Sequence, residues 1–436
     1  MSHRRVWRLA GPIILSNITV PLLGAVDTAV VGHLPEAYHL GAVAVGAMVF
    51  NFLYWAFGFL RMGTTGFTAQ AYGAGDGDEV RANLARALLL AVALGLAMIA
   101  LQWPIIAATF ELVEASARVE QAARSYFAIR IWAAPAALVG FALLGWFIGI
   151  QNTRAALAVQ LVMNGLNIAL DLLFVLGFGW GVAGVAAATL IAQYVGLGVG
   201  LWLVRRNLSR IGGRFRSAAI WHGRRLRRLF AVNFDIFLRS LLLLFATAYF
   251  TAQGAKQGDV ILAANAVLVN FVHFLAFGLD GFAFAAEALI GSAIGARDRT
   301  LLRQAVKLTS IWAGLCALGY FAVYAVASGL LIGLLTGVPE VKQAAVTYLP
   351  WVLLSPLVAV WSYQLDGIFI GATRTADMRN GMAIALLLFL ATDQLCRPLI
   401  GNHGLWLAMT VMWLARAATL AVRYPSLERA VVPASR

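Results

Sequence analysis

Charge is what this 436-residue sequence has least of: Asp, Glu, Lys and Arg together make up 12% of it, against 61% hydrophobic residues. A soluble domain carries roughly 25% charged and about 45–50% apolar residues. Charge this sparse cannot cover the surface of a soluble protein of such length, so a membrane class follows. Cysteine is scarcer still. Cys316 and Cys396 each lie in or beside an apolar segment, which excludes a disulfide framework and a CxxC metal pair and leaves two small hydrophobes. No Walker loop, zinc helix motif, nucleophile elbow or Rossmann glycine pattern is present, so ATP-driven and plainly enzymatic readings lack support. The six histidines (3, 33, 39, 222, 273 and 403) are scattered, which disfavours a membrane-embedded prenyl or acyl transferase. Bases outnumber acids, 33 to 19, yet they sit in short connections between apolar runs. Retention of Lys and Arg on the cytoplasmic side accounts for that pattern without nucleic acid.

What is present is a series of long apolar runs. A span needs about 20 mostly apolar residues, and twelve segments qualify, near 8–32, 42–71, 84–109, 122–150, 155–177, 181–204, 229–253, 260–292, 305–335, 344–371, 380–399 and 403–422. They are continuously apolar rather than alternating, so helices and not a barrel are expected. Arg4, Arg5 and Arg8 precede the first run in the manner of a signal peptide, but that run continues to about Val31 through Pro12, Asn17 and Asp27 without a small-x-small cleavage site. An uncleaved first span is expected.

The connections alternate in charge. Arg205 to Arg228 holds nine arginines and no acid, and Arg297, Arg299, Arg303, Arg374 and Arg379 mark other turns on the same side. The stretches 33–39 and 110–120 are acidic or neutral, and Asp259 and Glu340 stand opposite the arginine-rich turns. Both termini and the central linker are therefore expected in the cytoplasm. The basic linker divides the chain into an expected bundle over 1–204, a linker over 205–228, a second bundle over 229–425 and a tail over 426–436. An internal repeat supports the division. Tyr126 and Tyr348 differ by 222 positions, as do Phe147-Ile148-Gly149 and Phe369-Ile370-Gly371, and Thr153 and Thr375. The expected fold is an all-α polytopic membrane protein with two six-helix bundles related by a parallel repeat.

Polar residues inside spans point to function, because an ionisable side chain in hydrocarbon costs at least about 2.5–3.5 kcal/mol. Asp27 lies late in the first span with no Lys or Arg within a helical turn; it reads as a proton carrier or sodium ligand, the alternative being a helix cap. In the fifth span Asn167 and Asp171 share a face at a spacing of four, with Asn164 nearby. The next span supplies Thr189 and Gln193. Two stacked oxygen-bearing side chains suit a hard cation or a shared proton; the alternative is interhelical hydrogen bonding. In the second half Asp235 and Arg239, at a spacing of four, read as an intrahelical ion pair. Asp280, Glu287 and Asp366 have few embedded bases to match them, Arg239 and Arg61 being the evident ones, and would line an acidic cavity attractive to cations. Asp393 and Arg397 read as a structural pair.

With those residues in view, the chain resembles the multidrug and toxin extrusion (MATE) family, in its DinF-like branch. The resemblance rests on Pro12, on Asp27 followed by Val31-Gly32, on Gln70 with Gly73-Ala74-Gly75, and on Tyr126 with Arg130. It continues through Gly149 to Thr153-Arg154, Asn167 to Asp171, Gly184 to Thr189, Asn233 to Arg239, and Asp366-Gly367. It implies export of cationic or amphipathic small molecules by alternating access, in exchange for protons or sodium. Asp27, Asn167, Asp171 and Thr189 match the family's cation-coupling site, with Tyr126 beside it, and sodium at those four is an open alternative to a proton. Asp366 matches an acid of the C-terminal bundle. The substrate-cavity candidates are Asp366, Glu287, Asp280, Asp235 and Arg239. No cofactor beyond the coupling ion, no nucleic-acid partner, a lipid environment, a monomer and a bacterial inner-membrane location are expected. The nearest rival is a lipid-linked precursor flippase, disfavoured by embedded charge that reads as mainly acidic.

Overall fold

A computed structural model describes residues 1–32, 36, 38–112 and 116–431, and among these the secondary structure is helical with no strand. Twelve helical segments are long and apolar enough to cross a membrane: α1 (His3–Gly32), α2 (Tyr38–Gly73), α3 (Gly77–Ala100), α4 (Ala117–Gly149), α5 (Thr153–Gly177), α6 (Gly181–Ile211), α7 (Gly223–Ala255), α8 (Asp259–Gly295), α9 (Arg299–Leu335), α10 (Pro339–Gly371), α11 (Thr375–Ile400) and α12 (Asn402–Arg429). Parts of the expected connections 33–39 and 110–120, and the end of the expected tail, 432–436, lie outside the described residues.

The third span differs from expectation. The apolar run to residue 109 divides into α3 and a separate helix, Gln102–Leu112. Pro104 has no N–H to continue the ladder, so the helix stops at Leu101 and restarts. α6 runs on to Ile211, seven residues into the expected linker (211 − 204). The linker itself holds a short helix, Ser217–Ile220.

The repeat is written into the backbone. α2 ends with the amide of Asp76 bonded to the carbonyl of Ala71 and that of Gly75 to Tyr72; this is a Schellman turn, with Gly75 at φ 71°. At an offset of 222, α8 ends with Asp298 bonded to Ala293 and Arg297 to Ile294, with Arg297 at φ 54°. Asp76 then caps the amide of Glu79 at 2.9 Å and Asp298 that of Leu301 at 2.8 Å, each satisfying an orphan donor at a helix start. Gln151 and Thr373, also 222 apart, turn the ends of α4 and α10 in the same way, at φ 61° and 54°. A left-handed conformation on a side chain larger than glycine costs about 1–2 kcal/mol, so these turns are held by the packing of the helices they join.

That packing is close. A Cβ on Gly145 would lie 2.3 Å from the Arg61 carbonyl oxygen, and one on Gly367 would lie 2.4 Å from that of Ala283. Both glycines and both carbonyls are 222 apart. Small residues let α2 and α4, and α8 and α10, approach backbone to backbone.

The chain forms two compact units, Leu15–Arg227 and Arg228–Arg436 with Met1–Ile14. The division falls at the end of the expected linker. The first residues depart from the expected grouping: Ile14 and Ala10 press on Gly281 of α8, so the start of α1 packs with the second unit. Within the first unit the linker is clamped to the head of α3. Asp78 accepts from the amide of Arg214 (2.7 Å) and pairs with Arg216 (2.8 Å). Glu79 pairs with Arg86 at 2.9 Å and with Arg225. The core of the second unit packs Phe250 edge-on to Trp406 and Phe271 edge-on to Tyr324, each at 5.0 Å.

Candidate functional site

The sequence places one carboxylate on α1 and one at the end of α5, and the fold of the first unit brings them together. Asp27 is half-buried; Asp171 is 0% exposed. Their carboxyl groups lie close enough to share a hydrogen bond. As two carboxylates they have no proton to share: Asp27 Oδ1 and both oxygens of Asp171 are buried with no donor directed at them. Asn167, one turn before Asp171, adds a fourth such oxygen, its Oδ1. Its amide nitrogen is bonded to Thr189 Oγ1 on α6 at 3.1 Å, and Thr189 donates back to the Val185 carbonyl, also at 3.1 Å. Thr189 thus fixes the orientation of Asn167 rather than facing the carboxylates as a free ligand. Unsatisfied buried oxygens cost about 1–3 kcal/mol each. All four are acceptors, so the group they suit is a hydrogen-bond donor or a cation.

Tyr126 joins the pair and brings Arg130 with it. Arg130 donates to Tyr126 Oη and lies over the rings of Phe50 (4.9 Å) and Tyr126 (5.3 Å). Its charge is felt by both carboxylates. Tyr126 is seated on Gly46, where a Cβ would come within 2.3 Å of its ring. Asn164 is taken by bundle contacts, donating to Thr19 Oγ1 on α1 and accepting from Gln160, both at 2.9 Å. Arg130 was visible in the sequence only as part of the family pattern. A lone base one turn after a buried tyrosine, inside an apolar span, is the signal that marks it.

The C-terminal candidates are arranged differently from expectation. Asp235 and Arg239 do not pair with each other. Asp235 bonds Arg379 (2.5 Å) and Thr375 (3.1 Å) of α11, while Arg239 donates to Asp366 of α10. Arg416 of α12 also donates to Asp366 Oδ2, at 2.6 Å. Asp366 is therefore held between two buried guanidiniums, and the reading of an acid-lined cavity there is corrected. Arg416 is a lone base inside the last apolar run, and its partner lies 50 positions away, so local spacing does not reveal the pair. Glu287 is 1% exposed beneath Gly371, and Asp280 lies near Tyr363. Asp393 and Arg397 do pair, at 3.1 Å. Asp393 also accepts from Tyr249 Oη at 2.8 Å.

A family model described as MatE matches residues 12–173 and 236–393. The chain is 46% identical to DNA damage-inducible protein F of Escherichia coli over 96% of its own length and 91% of that protein. It is 28% identical to a probable multidrug resistance protein NorM of Caulobacter vibrioides, over 74% and 68% of the two chains. Its fold matches a Vibrio cholerae MATE transporter in the bent form with a TM-score of 0.89, at 20% identity, covering 98% and 97% of the chains. Twelve membrane-spanning helices with this fold and this family match are those of a transporter rather than an enzyme, and the chain belongs to the MATE family of multidrug and toxin efflux transporters.

Proposed function

We propose that the protein exports cationic or amphipathic small molecules in exchange for a monovalent cation bound at the Asp27–Asp171 pair, the proton being favoured over sodium. The observation that carries this reading is a facing pair of carboxyls, Asp27 half-buried and Asp171 fully buried, whose three buried oxygens accept from no donor. Charge counting supports a single cation: two carboxylates and Arg130 sum to −1, and one proton or sodium ion brings the group to zero. A proton placed between Asp27 and Asp171 turns two acceptors into a donor and an acceptor. The four orphan oxygens of Asp27, Asp171 and Asn167 suit sodium as well, which keeps it as the alternative.

Antiport follows if substrate and coupling ion favour different states. A ligand shifts a conformational equilibrium only by its differential affinity. Substrate binds while the pair is charged; after reorientation, the entering cation neutralises it and α1 repacks about Asp27. In this reading the termini and the arginine-rich turns face the cytoplasm of a bacterial inner membrane, and a monomer suffices. Of the C-terminal candidates, the Asp366–Arg239–Arg416 cluster serves to tie α7, α10 and α12 together.

The test is efflux of a lipophilic cation dye from proteoliposomes under proton and sodium gradients imposed separately. The proton gradient alone drives the wild type, and Asp27→Asn and Asp171→Asn lose the drive. Full proton-driven efflux in Asp27→Asn sinks the assignment. Drive by sodium alone reassigns the ion.

A further inference from the structure

Outside the carboxylate site, the second unit holds a cavity of about 450 Å³ among α9, α10 and α12. Its walls are mostly apolar: Val306, Trp361, Leu365, Leu414 and Ala418, with Tyr424 at one end. Gln364 also borders it but has its amide nitrogen engaged with Thr309 Oγ1 at 2.7 Å. Trp361 and Leu414 are exposed, so the cavity opens on an exposed apolar face of the unit.

The end of the cavity at Tyr424 is charged. On α9, Arg303 and Arg299 stand three and seven residues before Val306, on the same helix face. On α12, Glu428 follows Tyr424 by one turn. Both arginines share that single carboxylate: Arg299 Nε reaches Glu428 Oε1 at 3.0 Å and Arg303 Nε at 2.7 Å. Two guanidiniums and one carboxylate leave a net charge of +1. A slot of hydrocarbon character that ends in excess positive charge matches an amphiphile with an anionic head. It repels a cationic one, and it gives a zwitterion no net attraction.

We infer that this cavity takes one acyl chain of an anionic phospholipid, with the lipid phosphate on Arg299 and Arg303. Guanidinium suits phosphate because its forked N–H groups bond two oxygens at once. The acyl chain leaves one apolar setting for another, so it contributes packing rather than burial, and the head group carries the preference.

Trp361 in the wall supplies the readout. Purified protein is reconstituted with lipids brominated in the acyl chain, and the quenching assigned to Trp361 is the difference between wild type and Trp361→Phe. Brominated phosphatidylglycerol is expected to saturate that component at a several-fold lower mole fraction than brominated phosphatidylethanolamine. Ala418→Phe, which fills the slot, removes the saturable part, and Arg299→Gln with Arg303→Gln removes the preference for phosphatidylglycerol. On the wild type alone, unbrominated phosphatidylglycerol reverses the quenching while inorganic phosphate does not. Equal quenching by the two lipids, or no saturable component, overturns the proposal. Reversal by inorganic phosphate makes this an ion site instead, and stronger reversal by a lipophilic cation makes it a substrate site; either result also overturns it.

Discussion

Asp171 and Asp393 occupy the same place in the two halves of the chain, 222 positions apart, and both are 0% exposed. Their surroundings have been resolved in opposite ways. Across from Asp393, at the position matching Asp27, stands Tyr249, whose hydroxyl donates to the carboxylate at 2.8 Å. One turn further on, Arg397 donates to both Asp393 oxygens at 3.1 Å, where the first half has buried Val175. The first half has its own arginine, Arg130, where the second has buried Val352. That arginine bonds Tyr126 and leaves the carboxyls without a direct donor. Each half thus carries one base near its buried acid, but only the second half directs donors onto it. Thr189 and Thr410, related by 221, both bond back to the fourth preceding carbonyl, so the scaffold around the two acids is alike. Unsatisfied polar groups on a scaffold that elsewhere satisfies them are what the proposed cation site rests on.

The comparison can be broken most sharply by removing one charge from each half. Asp171→Asn is expected to lower gradient-driven efflux at least about tenfold, a loss of roughly 1.4 kcal/mol or more in the coupled step. Asp393→Asn is expected to leave the dependence on the gradient intact, as read in proteoliposomes. If both lose coupling alike, the distinction between the halves fails. Next in size are the matched glycines. Gly145→Val and Gly367→Val each force two backbones apart and are expected to cost about 1–3 kcal/mol, with similar falls in the melting temperature of the detergent-solubilised protein. Unequal falls would show that the halves do not share their tightest contact. Asp393→Asn is expected to cost about 1–3 kcal/mol of stability, since it weakens the bonds to Arg397 and Tyr249. The smallest effect is that of Tyr249→Phe, about 0.5–1.5 kcal/mol, since the hydroxyl's donation to Asp393 is lost together with its acceptance from Gln394 while Arg397 still holds the carboxylate, with transport unchanged.

Much of this was legible in the sequence. The twelve spans follow from apolar run length, and the 222-residue offset from a few repeated residues such as Phe147 and Phe369. Asp171 and Asn167 announced themselves by their spacing on one helix face. What the sequence hid was the identity of partners. Arg239 stands four residues from Asp235, within easy reach along the helix, yet it bonds Asp366 across 127 positions. Local spacing says which groups are able to meet; tertiary packing decides which do. Pro104 ended a helix that apolarity alone would have continued, because the hydrogen-bond ladder responds to a missing donor and hydropathy does not.

The first helix belongs to both compact units. Residues up to Ile14 pack with one, and from Leu15 onward the same unbroken helix packs with the other and carries Asp27. Thirteen residues (27 − 14) at 1.5 Å each put about 20 Å of helix between Ile14 and that carboxylate. In the proposed mechanism a proton arriving at Asp27 therefore acts on a continuous helix, with Pro21, which has no N–H to donate, as the point where that helix bends most easily.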